Sequence, residues 1–381
     1  MTWINFLHFY QPANVDDYKI KEALEQSYFR LLRAIEEHPE IKFTANISGC
    51  LLLRLELIQT DFIARFKKVV HRGQVELVGS AAYHALLPLV SEDEARRQIK
   101  ENEEILQKFF GTTLKLRGFF LPEMAYSPNV ARVIKDFGYE WLILDEISGT
   151  GKLNQVDIHK IYTDKNSGLK IIFRSREFSN CYLPDNLNGF FKKTDTIITA
   201  TDAELYGLRH EDPTGELEKV LKDKTWSTEL ISDYISRAPG GGDLKLVPSN
   251  WESTEKELKH HEPYALWSGR HNKIQRRLWK LANLASAIVE KYKADDNYIW
   301  ARWHLVRGLA SCAFWWASSR DFSHNFGPHA WNPDEIERGV NELIRAIRSL
   351  HQSTPRRSKM AAEELYIKIK HLIWKKHWGR V

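Results

Sequence analysis

From its amino end the chain alternates short apolar runs with amphipathic stretches. Residues 3–8 (Trp-Ile-Asn-Phe-Leu-His) form the first run, and 42–47, 73–79, 114–121, 141–145 and 196–201 repeat it. Nearly continuous apolar runs of this length predict strands buried on both faces. Between them, Ile20, Leu24, Tyr28, Leu31, Leu32 and Ile35 recur at spacings of three and four and predict a helix over 18–38. Further helices are predicted over 51–70, 92–109 and 127–138. The last opens with Ser127 as N-cap and Pro128 at the first helical position, and Gly138 stops it. The runs at 158–163 and 170–174 flank Lys165-Asn-Ser-Gly168 and predict a hairpin. Pro239-Gly-Gly-Gly242 predicts a loop before a last short strand over 244–247. Regular alternation of strand and helix predicts parallel β/α units closing a barrel.

Past residue 250 the pattern changes. Residues 270–292, 296–319, 333–351 and 358–377 read as helices with no strand candidate between them, and Asn332-Pro333-Asp334-Glu335 is a plain helix start. The expectation is therefore an α/β fold: a catalytic barrel over 1–250, then a helical domain over 251–381 packed on it.

Composition narrows the function classes. With 381 residues, 43% hydrophobic and 28% charged, the chain is an ordinary globular one. A net charge of +5, spread along the sequence, argues against a nucleic-acid partner. No signal peptide and no membrane span is recognisable, and three widely spaced cysteines suit a reducing compartment, so the expected location is cytoplasmic. Thirteen Trp, fourteen Tyr and eighteen Phe are a high aromatic load; many are expected in the core, but aromatic faces also cover the apolar faces of sugar rings.

The polar residues at predicted strand ends are the candidates for chemistry: His8 and Gln11, Glu76 and His84, Glu123, Asp202 and Glu204. Barrel strands bring their carboxyl ends to one face, so residues remote in sequence can share a pocket there. Glu123 follows a buried run and Pro122, which ends the ladder by withholding its N–H. Two carboxylates flanking a bond are what glycoside hydrolysis requires, one to attack and one to move the proton. Glu204 reads equally as a site residue and as half of a structural ion pair. Trp251, Trp315 and Trp316 are candidates to close a pocket, against the alternative that a Trp in a helical bundle is core.

The segments resemble, in order, the motif series of glycoside hydrolase family 57. His8-Phe-Tyr-Gln-Pro12 is similar to the first motif, His-x-His-Gln-Pro. Gly73-Gln-Val-Glu76 with Tyr83-His84-Ala-Leu-Leu-Pro88 is similar to the second, Gly118-Phe-Phe-Leu-Pro-Glu123 to the third, and Thr201-Asp-Ala-Glu-Leu-Tyr-Gly207 to the fourth. The resemblance implies a (β/α)7-type barrel with a C-terminal helical domain. It implies a retaining mechanism on α-1,4-glucan-type oligosaccharides, by hydrolysis or by transfer, with no metal and no organic cofactor. Glu123 becomes the expected nucleophile and Asp202 the acid/base. His8, Gln11, Glu76, His84, Trp251 and Trp315 become the expected substrate contacts. The sequence departs from the family where Tyr10 stands for the second histidine and Ala203 for a glycine, and where Ser311-Cys-Ala-Phe-Trp315-Trp316 lacks the acid of the fifth motif. The alternatives are a catalytically impaired carbohydrate-binding homologue and a metal-dependent polysaccharide deacetylase. The latter needs an Asp and two His at ligand distance.

Overall fold

A computed structural model describes residues 1–318, 331–351 and 356–379; the last residue of the helix predicted over 296–319 lies outside them. The chain divides into two compact units: Met1–Ala82 with Ser91–Glu255, and Tyr83–Val90 with Lys256–Val381.

The first unit holds ten strands: β1 (Thr2–Phe9), β2 (Phe43–Ile47), β3 (Val75–Leu77), β4 (Gly118–Phe119), β5 (Trp141–Asp145), β6 (Ile161–Asp164), β7 (Lys170–Arg174), β8 (Thr196–Asp202), β9 (Ser227–Thr228) and β10 (Gly240–Leu244). One sheet runs β3-β2-β1-β8 with β9 also on β1, and the other runs β10-β6-β7-β5-β4. Every ladder is parallel except the β6–β7 hairpin, which the two apolar runs around Gly168 predicted. The sheets meet at two seams. Gly79 N donates to Gly118 O and Phe120 N to Gly79 O, both at 2.9 Å, while Ser175 N donates to Ile198 O at 2.9 Å. These links carry the main chain round a ring of seven strands, β1-β2-β3-β4-β5-β7-β8. The ring is the barrel that the alternating pattern called for.

Its filling explains the near-continuous apolar runs. Ile4, Phe6, Val78, Phe120, Trp141, Ile143, Ile172, Ile198 and Ala200 form one buried cluster inside the ring. The other faces of the same strands pack outward against helices, so Trp3, Leu7 and Phe9 are buried as well. Two stretches differ from expectation. The strand predicted over 114–121 is reduced to Gly118–Phe119, with one further bond from Phe120 N to Gly79 O before Pro122 ends the pairing. The glycine run at 240–242, predicted as loop, belongs to β10, which pairs with β6 at the sheet edge.

The second unit is helical: Lys273–Lys291, Tyr298–Gly308, Ser311–Trp316, Pro333–Arg348 and Arg356–Trp378 are its main helices. The helix predicted over 296–319 is broken at Leu309–Ala310, where Ala310 turns extended and bridges Ala85.

Candidate active site

Side chains two residues apart on a strand share a face. Ile4 and Phe6 point into the ring, so His8 is the next inward position on β1. By the same step Asp202 follows Ile198 and Ala200 on β8, Asp145 follows Trp141 and Ile143 on β5, and Arg174 follows Ile172 on β7. Ladder register puts His8 opposite Asn46 and Asp202, and Asp145 opposite Arg174. A polar layer thus caps the apolar filling at the carboxyl ends of the strands.

Glu123 joins this layer from the loop after Phe120. Its backbone is left-handed, with φ 60° and ψ 17°, and Met124 follows at φ 48°. A non-glycine residue there costs on the order of 1–3 kcal/mol and persists only where its surroundings fix it. Residues 249–251 do so. Tyr126 N donates to Ser249 O at 2.8 Å, Trp251 N donates to Glu123 O at 3.2 Å, and the Trp251 indole Nε1 donates to Glu123 Oε2 at 3.0 Å. Trp251 is in turn held by Arg174, whose guanidinium lies 5.1 Å from the ring centre and donates to Trp251 O at 3.3 Å. Arg174 also donates to Ala200 O at 2.8 Å, across the seam between β7 and β8. Fully buried Asp145 takes Arg174 Nε at 2.9 Å and Arg176 Nη2 at 2.6 Å.

Asp202, at the end of β8, is partly exposed and pairs with Arg209 Nη1 at 2.5 Å. Glu204 lies behind it, buried. Gln11 Nε2 at 2.8 Å and the Tyr28 hydroxyl both donate to Glu204 Oε1. Burial pushes the Glu204 carboxyl up to about 7; Arg209 opposes the shift and the charge of Asp202 adds to it.

His8 is buried and bonded through Nδ1 to Asn46 Oδ1 at 2.8 Å. A carbonyl oxygen can only accept, so Nδ1 carries the proton and Nε2 is the accepting nitrogen. Burial holds the imidazole down to about 4, against the pull of Asp202 and Asn46, so it is neutral at pH 7. Tyr10, in place of the motif's second histidine, stacks on it at 5.6 Å between ring centres.

The structure therefore brings Glu123, Asp202, His8 and Trp251 to one layer, with Gln11 joined to it through Glu204. Glu76 is elsewhere. Its Cα partner is Thr44, which also pairs with Phe6, two residues before His8. There it accepts from Thr44 Oγ1 and Ser232 N at 3.2 Å each, and from the Ser232 hydroxyl. Burial raises its carboxyl above the ordinary range. His84 and Trp315 belong to the second unit. His84 has φ 57° and meets Ser311 Oγ through Nδ1 at 2.9 Å, while the half-buried Trp315 ring lies edge-on to Trp316 at 4.7 Å. Residues Asp145, Arg174, Arg209 and Tyr28 were not picked out from sequence. The rule that found His8, a polar residue ending an apolar run, also fits Asp145 and Arg174.

Carboxylates gathered at the strand ends of a β/α barrel, braced by arginine and indole, define a class of barrel enzyme sites. The comparisons make the class specific. The model of glycosyl hydrolase family 57 matches residues 5–237, and the chain belongs to that family. An alpha-amylase of Pyrococcus abyssi is 30% identical over 291 residues, covering 68% of this chain and 43% of its own length. A 4-alpha-glucanotransferase of Thermococcus litoralis is 26% identical over 149 residues, covering 38% of this chain and 22% of its own length. The chain spans less than half the length of these two relatives. The crystal structure of a GH57-type branching enzyme from Pyrococcus horikoshii superposes with a TM-score of 0.71 at 16% identity, covering 98% of this chain and 95% of that one. At that identity the likeness speaks for the fold.

Proposed function

We propose that the protein is a retaining α-glycoside hydrolase or glycosyltransferring hydrolase acting on α-1,4-glucan-type oligosaccharides. The observation that carries this reading is the fixing of Glu123. A left-handed backbone and the Trp251 indole hold the Glu123 carboxylate in place at the strand ends. Family membership and the printed activities of the relatives support the α-glucan substrate. In the first step Glu123 bonds to the anomeric carbon while the glycosidic C–O bond breaks, and Asp202 gives its proton to the departing oxygen. In the second, Asp202 takes a proton from water or from an acceptor hydroxyl, whose oxygen displaces Glu123 with net retention. His8 Nε2 accepts a sugar hydroxyl, and the Trp251 and Tyr10 rings offer apolar faces. His84 and Trp315 stand as candidate sugar contacts of the second unit. We place the protein in the cytoplasm, a reading supported by three cysteines that form no disulfide. No helix among the described residues is long and apolar enough to cross a membrane.

The test is to incubate wild type and Glu123→Gln with maltooligosaccharides and separate the products by size. Shorter products alone mean hydrolysis, and a ladder of longer ones means transfer. Identical profiles for the two proteins would remove Glu123 from the mechanism. A retaining enzyme should also hold the Glu123 and Asp202 carboxyl groups about 5–5.5 Å apart in a substrate complex. A separation near 8 Å would point to inversion.

A further inference from the structure

We infer that Arg174 is a positioning residue: braced by buried Asp145, it ties the loop that holds Glu123 to the strand that ends in Asp202, and so sets where the two carboxylates stand. This rests on the reading of Glu123 as nucleophile and Asp202 as acid/base. Double displacement needs both groups placed against one glycosidic bond. A shift of about 1 Å in such an arrangement can cost on the order of 100-fold in rate.

Arg174 is the last residue of β7 and is buried. Each of its three guanidinium nitrogens has a protein acceptor. Nε donates to Asp145 Oδ2 at 2.9 Å, Nη1 to Ala200 O at 2.8 Å and Nη2 to Trp251 O at 3.3 Å. The three acceptors lie on β5, on β8 and in the segment after β10. A planar guanidinium fork serves three directions at once, which the point charge of an ammonium on a flexible stem does not. With its nitrogens so engaged, Arg174 acts on the reaction through its neighbours.

Two of these arms end close to the chemistry. Ala200 stands two positions before Asp202 on the inward face of β8. The main chains of β7 and β8 meet where Ser175 N donates to Ile198 O, and the Arg174 bond to Ala200 O carries that seam two residues nearer Asp202. The other arm meets Trp251, whose ring it faces at 5.1 Å and whose Nε1 donates to Glu123 Oε2. The loop around Trp251 is closed on itself, with Asn250 N donating to Ser253 Oγ at 3.0 Å and Ser253 N to Asn250 O at 3.2 Å. Arg176 holds its far end by donating from Nη1 to Ser253 O at 2.8 Å, and it is anchored on the same Asp145 from Nη2 at 2.6 Å. One buried carboxylate thus orients two guanidiniums, and each takes a carbonyl of the loop that carries the indole. Moving the indole off Glu123 would break these bonds.

The experiment measures kcat and KM on maltooligosaccharides for Arg174→Lys, Trp251→Phe and the double variant, with melting temperatures alongside. Lysine keeps a positive charge beside Asp145 and gives up the fork. The expected result for Arg174→Lys is a kcat lowered about 10–100-fold with KM within about threefold of wild type, because alignment is lost while the sugar contacts stay. The double variant should lose less than the product of the two single losses, since Trp251→Phe has already removed the bond that Arg174 keeps in line. A melting temperature that falls while kcat stays at the wild-type value would mean that Arg174 only supports the fold and would overturn the inference. Single losses that multiply in full in the double variant would overturn it too. If Arg174→Lys does not fold, the less buried Arg176 decides. Arg176→Lys frees Ser253 O and should lower kcat by less, again short of the full factor in the Trp251→Phe background; independent losses overturn the inference. A Glu123→Gln variant with wild-type products would instead remove the reading beneath it, a result separate from either cycle.

Discussion

At residue scale, the indole of Trp251 is a direct lever on Glu123, through Nε1 donating to Oε2 at 3.0 Å. Trp251→Phe keeps the ring against Arg174 and deletes the N–H. A hydrogen bond to a charged group is worth about 1.5–3 kcal/mol. Turnover by Trp251→Phe should therefore fall about 10–100-fold with the melting temperature little changed, and an unaltered kcat would show that the backbone alone aims Glu123. His8 gives a stability signature. The unfolded chain takes up its proton near 6.5 and the folded one only near 4. Stability is thus lost as pH falls across that window, by up to on the order of 3 kcal/mol. Thermal melts from pH 7 to 4 should drop more steeply for wild type than for His8→Gln. Much of this layer was legible: His8, Glu123 and Asp202 each end an apolar run. Glu76 obeys the same alternation yet sits one inward step deeper in the ring, because a polar residue within a strand signals an inward face without saying at which level. Trp251 was chosen for its ring, and its hydrogen bond depends on a contact 128 residues away that no local pattern records.

At the scale of elements, β4 is one of the two shortest strands and leads into the Glu123 loop. A Cβ on Gly118 would stand 2.1 Å from the Trp141 ring, itself buried and bonded to Ser232. Gly118→Ala must move that ring or the strand, and overpacking of this kind costs about 1–3 kcal/mol. Both the melting temperature and kcat should fall, since the displaced strand leads directly to Glu123; a variant with wild-type turnover would show that the loop is aimed from Trp251 alone. Helices and long strands were legible from periodicity because burial on one stripe or on both faces repeats over many residues. The β10 glycines were not. Their pairing is imposed by β6, against a composition that disfavours strands. The π-helical turn at Leu24–Tyr28 is also silent in the sequence, since its apolar spacing fits an ordinary helix.

At the scale of the ring, closure is uneven. The β1–β8 ladder runs through seven paired positions, whereas the seams at Gly79 and at Ser175 rest on isolated main-chain hydrogen bonds. Local opening needs least free energy where few hydrogen bonds break together. In native-state hydrogen exchange the amides of Phe120 and Ser175 should therefore lose protection before those of Ile4 to Leu7. Equal protection would mean that the ring opens only as a whole. The barrel class was readable from strand–helix alternation, but the placing of the seams was not, because it depends on where Gly79 and Gly118 let neighbouring backbones approach.

The partners of the Glu123 turn have a consequence in time. A ribosome releases Ser249 and Trp251 only after some 128 further residues have followed Glu123. At cellular rates of about 5–20 residues per second, that is roughly 6–25 s. Until then the left-handed backbone at Glu123 lacks the partners that these two residues supply. The growing barrel can gather its apolar filling early, yet the Glu123 turn meets Ser249 and Trp251 only as the last segment of the first unit emerges.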